Sequence, residues 1–174
     1  VDCLPKAKKY VFVCRKEHVK KHNIGELLTN RYDNSEIITL NHTTEGQACT
    51  AEFGIKNSTI LDDDEILISS CDYGLDYKNY DTTNKDIIVW TTTNNHAFSN
   101  DPNSYSWVEI REGLIKKVHV KTSFFSDPYN NHAIVGTFYF KKAKYFLEGL
   151  NRIYTKNIKS NNEYYIDNIF NVLD

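Results

Sequence analysis

Tyr10 to Cys14, YVFVC, is the stretch that most narrows what this chain can fold into. It is β-branched and aromatic throughout, so it reads as a strand buried on both faces, the pattern of a parallel sheet. Arg15, Lys16 and Glu17 open a helix expected to run to about Tyr32, with Val19, Ile24, Leu27 and Leu28 on roughly one side and Gly25 as its weak point. A second strand, Glu36 to Leu40, follows the turn residues Asp33, Asn34 and Ser35. Strand, helix and strand make one right-handed crossover unit.

The same logic applies to Glu65–Asp76, EILISSCDYGLD. Ile66, Leu67 and Ile68 read as a buried strand whose carboxyl end delivers Asp72 into open space, where ligands of open α/β sheets collect. The competing reading is an acid that merely starts a turn before Tyr73 and Gly74.

Between these strands, NHTTEGQACTAEFG at 41–54 predicts a helix N-terminus capped by Thr43 or Thr44, with Thr44 and Gln47 at capping-box spacing. Gly46 there would let a ligand approach the backbone, and helix N-termini favour anions; a cheap first-turn glycine is the plainer alternative. Asp62, Asp63 and Asp64 form a solvated acidic turn. Further on, Asp86–Thr93 reads as a strand, 94–104 as a loop, and Ser106–Lys121 as a hairpin turning at Arg111, Glu112 and Gly113. Ala133–Phe140 reads as a strand interrupted by Gly136, which marks a bulge or a ligand against the backbone. Helices from about Lys144 to Asn157 and from about Tyr165 onward close the chain.

A chain of 174 residues fits one domain able to bury a core without staples. Its net charge of -2 gives no bulk attraction to nucleic acid or anionic membranes, and no apolar run can cross a bilayer. With no signal-peptide pattern, a cytoplasmic location is expected. Cys3, Cys14, Cys49 and Cys71 have no CxxC spacing; Cys14 and Cys71, at strand ends, read as reduced core thiols. His18 and His22 lie four apart on the first helix, yet no third ligand is delivered to them, so a solvated face is expected. The chain contains no Met, initiator included, which reads as a start other than the natural one of its parent.

Six segments in order resemble the sugar-phosphate nucleotidylyltransferases of GT-A-like fold, particularly the small capsular-polysaccharide type. They are YVFVCRKEH at 10–18, TEGQACTA at 44–51, LISSCDY at 67–73, SYSWVEI at 104–110, HAIVGTFYF at 132–140 and NNEYYIDNIFN at 161–171. The resemblance implies an α/β fold with a mixed, mostly parallel central sheet and flanking helices, in a single domain over 1–174 that is incomplete. It implies transfer of a nucleoside monophosphate from a nucleoside triphosphate to a sugar 1-phosphate, with release of pyrophosphate. Asp72 would hold Mg2+, Lys121 would neutralise a phosphate as the catalytic residue, and Glu45, Gly46 and Gln47 would face the base. Ser106, Ile134 and Gly136 would line the sugar-phosphate pocket.

Departures from the family pattern accompany these matches. Its Gly-rich N-terminal loop has no counterpart, its second metal-binding aspartate would fall past Asp174, and its Glu-Lys pair becomes Val120 and Lys121, leaving sugar hydroxyls without an acceptor. A missing first strand would leave unpaired edges that invite homo-oligomers. Three functions follow: a fragment of such an enzyme, inactive alone; a non-catalytic binding or assembly module; or a GT-A glycosyltransferase. The last is disfavoured because Asp72 and Asp76 are spaced four apart, not as Asp-x-Asp.

Overall fold

The computed structural model describes residues 1–74 and 80–173; Asp76 and Asp174 lie outside the described residues. β1 (Tyr10–Arg15) and β2 (Ser35–Leu40) pair in parallel, Tyr10 opposite Ser35 and Arg15 opposite Leu40, as the crossover pattern requires. The connection is two helices, α1 (Lys16–His22) and α2 (Ile24–Arg31). The break falls at Asn23, which adopts left-handed φ 50°, and not at Gly25. Asparagine tolerates that conformation because its short side chain bonds locally, here to Glu26. His18 and His22 stay exposed on α1, their rings 6.2 Å apart.

α3 (Gln47–Lys56) leads to β3 (Ile66–Ser69) and β4 (Ile87–Thr92). A short α4 (Ala97–Asn100) and a 3-10 turn (Pro102–Ser104) occupy the expected loop, because Phe98 is drawn into a satellite core with Trp107 and Ala133. The hairpin forms as expected: β5 (Trp107–Arg111) and β6 (Leu114–His119) join through Glu112 and Gly113, both at positive φ.

β7 (His132–Phe140) is the centre of the second sheet. β4 runs along one of its edges, while β3 and β5 share the other end to end, all three antiparallel to it. The mostly parallel sheet is therefore corrected: among the described residues only β1 and β2 pair in parallel, and the five-stranded sheet is antiparallel. Continuous apolar character reports burial on both faces, which central strands of either kind share, and it carries no direction.

α5 (Ala143–Thr155) buries Phe146, Gly149, Leu150 and Ile153, one helical stripe, against the sheet and the 3-10 turn Ile166–Asn171. That 3-10 turn replaces the expected last helix. At residues 160–163, Asn161 and Asn162 take positive φ and fold the chain back so that Ser160 and Glu163 pair. Among the described residues no helix is long and apolar enough to cross a membrane.

Candidate functional site

Because β3 and β5 share one edge of β7, a gap opens between them at Ile134–Gly136. The Ser70 amide donates to the Gly136 carbonyl at 2.9 Å on one side, and the Ile134 amide donates to the Ser106 carbonyl at 2.8 Å on the other. Gly136 has φ 76°, and the β4–β7 register shifts there, so the expected bulge is present. A Cβ on Gly136 would lie 3.0 Å from the Ser70 hydroxyl and 4.0 Å from Gln47 Nε2. The start of α3 and the bulge of β7, distant in sequence, thus meet at one point.

Lys121 follows β6 in left-handed conformation, φ 54°. Its ammonium donates to the Ser104 carbonyl at 2.5 Å and sits 5.3 Å from the Tyr165 ring centre. Beside it is Asp167, on the 3-10 turn, with only 5% of its surface exposed. Burial drives this carboxyl up to about 6, while the Lys121 charge, then its own amide and the Ser106 hydroxyl, pull the other way. Ser106 is buried too, and its hydroxyl lies near Asp167 without completing a hydrogen bond among the described residues. Val120 turns into the core and presents nothing to this site.

Glu45 and Gly46 are engaged with the protein itself. The Glu45 carboxylate accepts from Lys159 at 2.6 Å. Gly46, at φ 125°, caps α3, and a Cβ there would lie 2.6 Å from the Tyr164 carbonyl oxygen. What approaches this glycine is the backbone of Tyr164. The capping box is corrected as well: the Thr44 hydroxyl donates to the Gly46 carbonyl at 3.1 Å and does not cap the helix.

Asp72 is exposed just beyond the end of β3, within the short run between Cys71, which neighbours Cys14, and Gly74, which faces Cys3. Cys71 is exposed, not a core thiol, since the strand ends at Ser69; Cys14 is half-buried, and burial pushes its thiol up. Among the described residues no group of three or more His, Cys, Asp or Glu is placed to hold a metal ion. A single exposed carboxylate still suits magnesium, which keeps several waters and takes one or two carboxylates together with substrate phosphates.

Three solved structures share this arrangement of elements. A nucleoside-diphosphate-sugar pyrophosphorylase from Vibrio cholerae superposes over 94% of this chain with TM-score 0.73 at 16% identity. The chain has the fold of that pyrophosphorylase. An inositol-1-phosphate CTP transferase from T. maritima gives TM-score 0.59 over 94% of the chain at 13% identity. A protein named as a glucose-1-phosphate thymidylyltransferase from Bacillus anthracis, bound to sucrose, gives 0.57 over 92% at 16%. The chain spans 68%, 60% and 61% of these three structures. No family model and no curated protein matches the sequence.

Sequence reasoning missed Asp167. Its signal was an acid inside the apolar run YYIDNIF, a position where a carboxylate is costly unless it is used.

Proposed function

We propose that the chain is the larger part of a sugar-phosphate nucleotidylyltransferase of the capsular-polysaccharide type. The observation that supports this reading is the convergence of Gln47, Ser70 and Gly136 on the gap between β3 and β5, with Ser106 bonded to Ile134 on its other side, in a fold shared with a nucleoside-diphosphate-sugar pyrophosphorylase. In this reading a sugar 1-phosphate oxygen attacks the α-phosphorus of a nucleoside triphosphate in line, the bond to the β-phosphate breaks, and pyrophosphate leaves. Reactions of this kind are catalysed mainly by positioning and charge neutralisation, with no covalent intermediate on the protein.

Lys121 neutralises the sugar phosphate, held in place by the Ser104 carbonyl. Gln47 and the Glu45–Gly46 backbone face the base, while Ser106, Ile134 and Gly136 line the sugar side. Asp72 would hold Mg2+, which when bound supplies charge to the triphosphate. Sugar phosphate and nucleoside triphosphate are the partners implied, and the cytoplasm is the compartment where both occur.

A second reading, a non-catalytic module of the same fold, is favoured by Val120, whose side chain is buried where the resemblance implies a sugar-facing glutamate. Incubation with each common nucleoside triphosphate, Mg2+ and a panel of hexose 1-phosphates separates the two. Pyrophosphate formation is expected; nucleotide and sugar phosphate binding without pyrophosphate would favour the module. Release of a nucleoside diphosphate from a nucleotide sugar would point to a glycosyltransferase instead.

A further inference from the structure

The carboxyl ends of β1 and β2, where Arg15 lies opposite Leu40, open onto a cavity of about 290 Å3 whose lining shares no residue with the gap between β3 and β5. Arg15, Lys16, Lys20 and His42 bring four basic side chains to its wall, and Glu17 is the one acid among the described residues there. Buried Leu40 and exposed Asn41 complete the lining. These charges are not balanced within the protein. Glu17 turns back to Arg15 at 2.9 Å, with the His18 ring at 3.6 Å, and among the described residues Lys16 and Lys20 form no ion pair. Elsewhere several lysines are matched, Lys142 and Lys144 with Asp63 and Lys159 with Glu45. Lys16 and Lys20 also stand four apart on α1, so their like charges repel along one helix face. A chain of net charge -2 thus gathers uncompensated positive charge around one hollow.

We propose that this cavity binds a small phosphorylated metabolite, at a site separate from the gap between β3 and β5. Its volume lies at the small end of ligand pockets, about 300–1,000 Å3, which fits a phosphate group carrying a short polar body. The phosphate takes Lys16 and Lys20 as point charges, and Arg15 offers it the guanidinium N–H groups that Glu17 leaves free. Asn41 and His42, which follow the end of β2, hydrogen-bond the body of the ligand. Ligands of parallel strands collect outside their carboxyl ends, which is where the cavity lies. A dianion held between Lys16 and Lys20 also relieves their repulsion, so the ligand stabilises α1 as it fills the cavity. The assignment rests on these side chains alone and does not depend on the nucleotidylyltransferase reading.

The test follows backbone amide chemical shifts of the isotope-labelled protein as glycerol 3-phosphate is added, with inorganic phosphate and glycerol titrated in parallel. At about 0.15 M salt, exposed charges more than about 8 Å away are largely screened, so the response reports the side chains at the cavity. Saturable shifts are expected at 15–20 and 40–42, with glycerol 3-phosphate binding at least about threefold more tightly than inorganic phosphate and glycerol giving no response. Lys16→Ala/Lys20→Ala should weaken glycerol 3-phosphate by about tenfold or more, since each exposed pair contributes up to about fivefold. Alanine favours an exposed helix, so this variant keeps its fold. Lys8→Ala/Lys21→Ala removes the same charge from lysines that do not line the cavity and should change the affinity by less than about twofold. Equal losses in the two double variants would reveal a diffuse basic surface and overturn the proposal. Shifts that do not saturate, or inorganic phosphate bound as tightly as the ester, would overturn it too. A saturating nucleoside triphosphate with Mg2+ should leave the glycerol 3-phosphate shifts in place; their displacement would make the cavity part of the nucleotide site and contradict a separate one. If the nucleoside triphosphate does not bind while those shifts persist, the nucleotidylyltransferase reading fails alone and the cavity assignment stands.

Discussion

Gly46 and Tyr164 are locked backbone to backbone across more than a hundred residues of chain. The Ala48 amide donates to the Tyr164 carbonyl at 3.0 Å, and the Tyr164 amide donates to the Glu45 carbonyl at 2.8 Å. This clamp fixes the N-terminus of α3 to the segment that carries Asp167, so the start of α3 and the closing 3-10 turn share one support. Gly46→Ala places a methyl 2.6 Å from a carbonyl oxygen and strains a backbone at φ 125°. The expected loss is about 2–4 kcal/mol in urea unfolding; a loss below about 1 kcal/mol would mean that the clamp opens cheaply.

Asp167 sets a pH dependence whose sign follows from its raised folded-state pKa. A carboxyl that titrates near 6 folded and near 3.8 unfolded contributes stability that is fully present below the unfolded value and is lost as pH rises through the folded one. Between about pH 4 and pH 6 the folded state should lose up to about 3 kcal/mol from this group alone, and Asp167→Asn should abolish that slope. Subtracting the variant's urea-unfolding curve from that of wild type isolates the effect. The exposed Asp63, held at about 2 by Lys142 and then Lys144, acts in the opposite sense: its contribution is present above the unfolded value and is lost only as pH falls toward 2.

Lys121 is the cation that opposes the rise at Asp167. Lys121→Met should therefore move the Asp167 titration upward, read by carbonyl NMR of labelled aspartate. It should also weaken inorganic phosphate by about tenfold or more, as expected for removing a charge-assisted contact. An unmoved titration would show that the two charges do not communicate.

α5 meets the closing 3-10 turn at Gly149, where a Cβ would lie 2.3 Å from Ile169 Cγ2. Gly149→Ala should cost about 1–3 kcal/mol by overpacking. Ile169→Ala removes the obstructing methyl, so the two changes together should cost less than their sum in a double-mutant cycle.

Much of this arrangement was legible in the residues. The runs YVFVC, EILIS, DIIVW and AIVGTFYF are all strands, and Gly136 does mark a bulge. Strand direction was not legible, because burial on both faces is shared by parallel and antiparallel centres. Asn23 broke a helix that hydrophobic spacing carried through, since the spacing senses the buried face and not the local left-handed turn. Thr44 has a capping-box partner in Gln47, yet tertiary contact with Tyr164 moved the helix start to Gly46. In the candidate site, Lys121 and Gln47 were read from resemblance and Gly136 also from its place inside a strand, whereas the burial of Asp167 was not legible because a single acid in the run YYIDNIF reads equally as a surface turn.

Equilibrium binding of nucleoside triphosphates with and without Mg2+, in wild type and Asp72→Ala, tests the central claim most directly. The expected result is binding that requires Mg2+ in wild type and is weakened by about tenfold or more in Asp72→Ala, with the melting temperature unchanged because Asp72 is exposed. Affinity that is indifferent to Mg2+ and equal in the two proteins would contradict it.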